Sequence, residues 1–268
     1  MRLALGIEYD GTAYNGWQRQ KIGTGVQLLV EEALAAVANH PVDAVCAGRT
    51  DTGVHASGQV IHFDTKSARS TRSWLLGANS NLPSDINVSW VTVVDDDFHA
   101  RFSALSRSYR YLILNREVRS ALSRNRAWWI HHPIDVALMQ GAAECLLGKH
   151  DFSAFRAAGC QASSPVREIH ELRIVKTDQW ISVHITANAF LQHMVRNIVG
   201  LLVAAGTGES PVARVREVLE GLDRRAGGVA APAHGLTLVG VAYPDGFSLP
   251  APATRLGSVP DNVYDVCL

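Results

Sequence analysis

Two hydrophobic periods alternate along the chain. In 26–38 the apolar positions Val26, Leu29, Val30, Ala33, Leu34 and Val37 follow a helical spacing, entered after Gly23-Thr24-Gly25 and closed before Pro41. Ahead of it, 3–9 reads as a strand that stops at the turn pair Asp10-Gly11. Beyond it, 42–47 predicts a second strand, and 58–64 a third, with Val60, His62 and Asp64 alternating against Ile61 and Phe63. A short helix over 70–79 and a fourth strand over 86–94, broken by Asp95-Asp96-Asp97, complete a β-α-β-β-α-β series. That order predicts a ferredoxin-like unit, an antiparallel sheet with helices on one face.

The second half repeats the order. A strand over 108–114 is followed by a helix over 134–147 with Asp135 near its start. Segments 168–175 and 180–187 form a predicted hairpin about Thr177-Asp178-Gln179. Helices over 189–205 and 211–222 and a closing strand over 236–241 follow. With the 211–222 helix set aside, this is a second β-α-β-β-α-β series, although the sequence itself does not repeat. The expected fold is α+β: an N-terminal subdomain over 1–104, a C-terminal subdomain over 105–246, and an extended Pro-, Ala- and Ser-rich tail over 247–268. Two such subdomains, each ferredoxin-like, would meet near residue 105 and leave a central cleft of the kind in which sites form.

Composition narrows the class. Of 268 residues, 47% are hydrophobic and 19% charged, the balance of a folded soluble chain. No apolar run reaches the ~20 residues of a spanning helix, and Met1 to Gly6 lacks a signal-peptide core before Glu8 and Asp10. A cytoplasmic protein is expected. Cys46, Cys145, Cys160 and Cys267 are scattered, with no CxxC pair, so neither a zinc site nor a disulfide framework is expected. The formal charge is zero, from 25 basic and 25 acidic residues, which argues mildly against nucleic acid. Distribution alters that reading. Between Arg101 and Arg126 lie Arg101, Arg107, Arg110, Arg116, Arg119, Arg124 and Arg126 against the single acid Glu117, a local basic stripe.

The segment Ala47-Gly48-Arg49-Thr50-Asp51-Thr52-Gly53-Val54-His55-Ala56 leaves a strand and enters a turn that Gly53 permits. Asp51 would project from a loop between strands, a common position for a catalytic side chain, with Arg49 nearby to steady the carboxylate or touch a phosphate. Residue types alone favour an ordinary Asp-Gly turn over catalysis. Competing motifs are weak: 21–25 lacks P-loop spacing, and no GxGxxG, HExxH or GxSxG is present. His131 and His132 are neighbours that would face opposite ways on a strand, so no metal is expected.

The Gly48 to Ala56 segment resembles the signature of the tRNA pseudouridine synthase A family. The resemblance continues through Ile7-Glu8-Tyr9-Asp10-Gly11, Gly16-Trp17-Gln18-Arg19-Gln20, Phe98-His99-Ala100-Arg101-Phe102-Ser103-Ala104 and Tyr109-Arg110-Tyr111. It extends in order through Asp151-Phe152-Ser153-Ala154-Phe155-Arg156, His193-Met194-Val195-Arg196-Asn197 and Gly235-Leu236, to about residue 245. It implies conversion of uridine to pseudouridine at positions 38, 39 and 40 of the tRNA anticodon arm, by a homodimer, with no cofactor and no metal. It further implies Asp51 as nucleophile and Arg196 as its cationic partner, and Tyr109 packed on the target uracil. Gln192 departs from the family pattern, where a basic residue is expected.

The chemistry is consistent with that implication. An ionised carboxylate is able to attack C1′, to add to C6 of the ring, or to promote elimination to a glycal. The target base must leave its stack, and Arg49 beside the nucleophile is the candidate to hold the flipped nucleotide. Leu236 is the candidate to close the uracil pocket. Arg101, Arg107 and Arg110 head the stripe expected to hold RNA phosphates. A retaining glycoside hydrolase would need a second carboxyl group ~5 Å away, which the motif does not supply. A silent RNA-binding protein would lack turnover, and the aromatic RNP1 pattern is missing.

Overall fold

The computed structural model describes residues 1–20 and 22–250, and 251–268, most of the expected tail, lie outside the described residues. Within that range the fold is mixed α+β, with five α-helices and mostly antiparallel strand pairs. The chain divides into two compact units, one of Met1–Leu105 together with the segment from Leu238 onward, the other of Ser106–Thr237.

The first unit runs β1 (Arg2–Tyr9), α1 (Val26–Ala38), β2 (Val45–Cys46), β3 (His55–Asp64), α2 (Thr71–Asn81) and β4 (Ile86–Val94). β1 lies between β4 and β3, antiparallel to both, and β2 also pairs with β3. Helix α1 has the predicted bounds. Val26, Val30, Ala33 and Leu34 face inward, and Asn39 ends the helix in the left-handed region at φ 60°, which asparagine tolerates. In α2 the Ser70 side chain accepts from Ser73 N–H and caps the first turn. Trp74 then meets Phe63 of β3 edge-on at 5.2 Å, so the helices share a core with the sheet. The second strand is shorter than predicted. Ala44 N–H donates to buried Glu31 and Ala44 C=O accepts from Gln27, so these groups are withdrawn from the ladder.

The second unit runs β5 (Ser106–Asn115), β6 (Trp128–Ile130), α3 (Val136–Ala143), β7 (Gly148–Asp151), β8 (Val166–Thr177), β9 (Trp180–Ala187), α4 (Met194–Gly206) and α5 (Arg214–Gly221). The strand order is β5-β9-β8-β7, with β6 parallel to β5. The predicted hairpin is present, with Thr177 opposite Trp180 and Asp178 at φ 53°. Asp135 caps α3 by accepting from Ala137 and Leu138 N–H. Helix α4 begins five residues later than expected, because His193 is at φ 64° and a left-handed residue cannot continue a right-handed helix. Strands β6 and β7 carry only three and four residues, too short for a period to register in the sequence. The last strand, β10 (Leu236–Ala242), begins in this unit and from Leu238 belongs to the first, beside β3.

One buried histidine fixes the end of the first unit's 98–103 turn. His62 on β3 is 4% exposed, and its Nδ1 accepts the Ala100 N–H at 3.1 Å. Burial, then His99 and Arg2, push its imidazole down to about 4, so it is neutral at pH 7. Below its ordinary pKa of 6.5 the unfolded chain therefore binds a proton that the folded chain refuses. Stability is expected to fall as the pH drops from about 6.5 to 4, by at most about 3 kcal/mol. Urea unfolding across that range checks this, and His62→Gln, which keeps an acceptor but does not titrate, is expected to flatten the slope.

Candidate active site

Asp51 lies half-exposed in the irregular segment between β2 and β3. Its neighbours are held from two sides. From the 9–17 segment, Trp17 N–H donates to Thr50 C=O at 3.1 Å, and Gly53 N–H donates to Tyr14 C=O at 3.3 Å. The buried Thr50 hydroxyl is 2.7 Å from the Tyr9 hydroxyl. Gly53 is at φ 78°, and Val54 N–H returns to Asp51 C=O at 3.1 Å to close the turn. From β3, the fully buried Gln59 amide donates to Gly48 C=O at 2.6 Å and accepts from Val60 N–H. His55 is also buried, its Nδ1 3.0 Å from both Gly11 N and Asp10 Oδ1.

Two glycines let the 9–17 segment approach. A Cβ on Gly16 would lie 2.5 Å from Thr50 O and 3.0 Å from the Asp51 carbonyl carbon, and Gly16 itself is at φ 83°. A Cβ on Gly11 would lie 2.0 Å from Val54 O. The backbone of the Asp51 loop is therefore packed against backbone. Arg49, two residues before Asp51, is exposed. Cys46 offers no competing nucleophile, because burial pushes its thiol up to about 12 despite Arg49 and Arg101 pulling it down.

The second unit carries the other candidates. Tyr109 and Tyr111 lie on the same face of β5; Tyr109 meets Phe190 edge-on at 5.1 Å, and Tyr111 is fully buried. Arg196 is in the first turn of α4, half-buried, with Nε donating to Ala231 C=O at 2.8 Å, while Ala231 N–H returns to Arg196 C=O at 3.0 Å. The Tyr111 hydroxyl donates to Pro232 C=O at 2.8 Å. Burial pushes that phenol up, with Arg196 opposing, so it stays protonated to donate. A Cβ on Gly235 would lie 2.6 Å from the Tyr111 ring. The 231–236 segment thus ties Arg196, Tyr111 and buried Leu236 together. Gln192 is exposed.

The arginines of the stripe differ in exposure and partners. Arg107 is only 8% exposed, and its guanidinium donates to Asn188 C=O at 2.9 Å. Arg116 donates to Val118 and Arg119 carbonyls, and Arg124 to Ala121, so these two hold their own loop. Arg101 is exposed in the first unit and Arg110 half-exposed in the second. Proximity in sequence suggested a local basic stripe, from which Arg107 is turned inward. The expectation for His131 and His132 is likewise corrected: they follow β6 in irregular backbone, and their rings lie 3.8 Å apart. Among the described residues, no group of three or more His, Cys, Asp and Glu side chains is arranged to hold a metal, and no helix is long and apolar enough to cross a membrane.

Sequence reasoning did not single out Gln59, and it met Gly11 and Gly16 only as a turn residue and as members of the family motifs. Gln59 left a usable signal. It falls on the Ile61 and Phe63 face of the predicted strand, where a polar side chain needs a partner. The glycines left none beyond their turn context.

A family model described as tRNA pseudouridine synthase matches residues 6–103 and 142–244. The first segment holds Arg49, Asp51 and Arg101, the second Arg196 and Leu236, and Arg107, Tyr109 and Arg110 fall between them. Proteins described as tRNA pseudouridine synthase A align over almost the whole chain. One from Coxiella burnetii is 53% identical over 249 residues, covering 93% of this chain and 95% of the relative. One from Pseudomonas aeruginosa is 52% identical over 250 residues, covering 93% and 88%. One from Alcanivorax borkumensis is 51% identical over 250 residues, covering 93% and 94%.

The backbone approach at Gly16 has a measurable consequence. Gly16→Ala places a methyl group against Thr50 O at a left-handed position, and is expected to lower the unfolding free energy by about 2 kcal/mol. Urea denaturation of the variant beside the parent checks the value.

Proposed function

Because the chain belongs to the tRNA pseudouridine synthase family, we propose that Asp51 is the carboxylate through which it acts on its target uridine. The chain isomerises uridine to pseudouridine in tRNA. That reaction breaks the N1–C1′ bond, turns the freed uracil, joins C5 to C1′ and moves the C5 proton. Substrate and product have the same atoms and the same oxidation state, so no oxidant, reductant or group donor enters the balance. What the protein must supply is a carboxylate, a charge partner and a pocket for a base withdrawn from its stack.

The observation that carries the reading is the Asp51 turn itself. It lies inside the matched family segment, is half-exposed, and is fixed through backbone bonds from Trp17 and Tyr14 while Gln59 holds Gly48. Such fixing limits the motion of a nucleophile relative to its target, and small displacements of a reacting group cost rate steeply. Arg196, whose side chain is fixed by donating to Ala231 C=O, is assigned as the cation that keeps the carboxylate ionised. Tyr109 is the aromatic that packs on the uracil, Leu236 an apolar wall of that pocket, and Arg49 the side chain that holds the flipped nucleotide. Arg101 and Arg110 serve RNA phosphates. Arg107, given its burial, serves as an internal strut that keeps β5 and the end of β9 in place.

The sites of modification under this reading are positions 38, 39 and 40 of the anticodon arm, and the acting form is a cytoplasmic homodimer. Each half of the chain is read as a ferredoxin-like subdomain, over 1–104 and 105–246. For the first, the support is the β-α-β-β-α-β order with β1 between β4 and β3 and β2 on β3. For the second, it is β9 between β5 and β8, with α3 between β5 and β8 in the chain and α4 after β9.

Two outcomes are expected. Asp51→Asn binds unmodified tRNA transcript but forms no pseudouridine, as read by site-resolved mapping; full turnover in that variant would sink the assignment. Binding by the parent weakens with ionic strength as phosphate contacts release counterions, so a plot of log affinity against log salt has a negative slope. A flat plot would remove the arginines from RNA contact.

A further inference from the structure

The first unit carries an exposed aromatic side chain that the catalytic assignment does not use. Phe102 is 78% exposed, although an apolar side chain of this size gains about 2 kcal/mol from burial. Its ring is not loose. It stacks on His99 with centroids 4.3 Å apart and planes 27° from parallel, and His99 in turn lies 4.7 Å from the buried His62 ring. The Arg101 guanidinium carbon is 5.6 Å from the Phe102 centroid.

The turn that presents this ring is over-determined. His99 Nδ1 accepts from the N–H groups of both Arg101 and Phe102 at 3.1 Å. His99 N–H donates to Ser103 Oγ at 3.0 Å, and Ser103 N–H returns to His99 C=O at 2.9 Å. Ala100 is buried between the His62 imidazole, which takes its N–H, and the Tyr243 hydroxyl, which donates to its C=O at 2.6 Å. Phe98 C=O accepts from Arg2 at 2.9 Å. A loop bonded at this density holds Phe102 outward at almost no further entropic cost on binding, which is the condition for a rigid stacking surface.

Charge gives the surface a direction. The exposed Arg101 beside the ring supplies positive charge, and Arg49, two residues before Asp51, is likewise exposed. On its other side the turn adjoins the exposed acids Asp95, Asp96 and Asp97, and Arg2 there is engaged by Asp64. Arg101 attracts a phosphate beside Phe102, whereas Asp95 to Asp97 repel one. From His55, beside the Asp51 loop, to His62 is seven residues of β3, or about 23 Å. His62, which holds the turn at Ala100, thus lies near the opposite end of β3 from the Asp51 loop.

We propose that Phe102, backed by His99 and flanked by Arg101, is a stacking platform for an unpaired nucleobase of the tRNA substrate, outside the pocket for the target uridine. The platform rests on the reading of the chain as a tRNA pseudouridine synthase and adds to it a second point of purchase on the RNA. Aromatic faces take any base, and arginine beside them serves the adjoining phosphate. The contact is accordingly tolerant of sequence, as suits a site that fixes the register of the RNA and does not read its bases.

The test uses the full chain and an unmodified tRNA transcript. Phe102→Leu keeps an apolar side chain and removes the π-face, while Phe102→Tyr keeps the face. The leucine variant is expected to bind tRNA about tenfold more weakly, with the loss in KM and little of it in kcat, and the tyrosine variant to recover parental binding. Circular dichroism and sedimentation equilibrium accompany both. Parental tRNA affinity in the leucine variant would overturn the proposal. So would a change of oligomeric state in that variant, which would place the ring in a contact between copies of the chain. Weakened binding in the leucine variant together with full turnover of Asp51→Asn would overturn the role of Asp51 and leave the platform standing.

Discussion

The Asp51 loop depends on backbone meeting backbone. Segment 9–17 lies so close to residues 50–54 that a single Cβ at Gly11 or Gly16 would overlap carbonyl oxygens. Once that approach is made, Trp17 N–H and Tyr14 C=O reach Thr50 and Gly53, and the polar groups of an irregular segment are satisfied without a ladder. On the far side Gln59 holds Gly48 from inside the sheet. The carboxylate is thus carried by a loop with the constraints of a core element.

The same economy governs the second unit. Segment 231–236 is short and irregular, yet it exchanges two backbone-linked bonds with Arg196 and takes one from Tyr111, and Gly235 admits the Tyr111 ring. One connector therefore fixes a cation on α4 and an aromatic on β5. Helix α4 supplies the rigidity, since most of its residues are buried around its whole circumference. Arg196 can be half-exposed at its first turn because the remainder of the helix is anchored.

Arginine does three kinds of work here, and only tertiary context separates them. Arg107 is an internal strut, Arg116 and Arg124 brace a loop, and Arg101 stands exposed beside Phe102. A neutral chain is thereby compatible with an RNA substrate. Charge need not be abundant in the whole chain when exposed and buried arginines serve different ends.

Much of the fold was legible in the sequence, because strand and helix periods depend on local alternation of apolar residues. Helix α1 and strand β4 kept their predicted bounds, and the hairpin about Asp178 followed from its turn residues. The Asp51 motif was visible as well, although residue types alone described a turn, and only its resemblance to a family gave it chemistry. What the sequence could not determine were features set by partners distant along the chain. The start of α4 was decided by a left-handed His193, and the shortness of β2 by Glu31 taking the Ala44 N–H. The burial of Arg107 was decided by the strand face it occupies and by the Asn188 carbonyl within its reach. Gly16 reads as one more turn glycine until Thr50, thirty-four positions on, is brought against it. Local periodicity fixes elements; close approach between non-neighbouring backbones fixes sites, and that is a property of the folded chain alone.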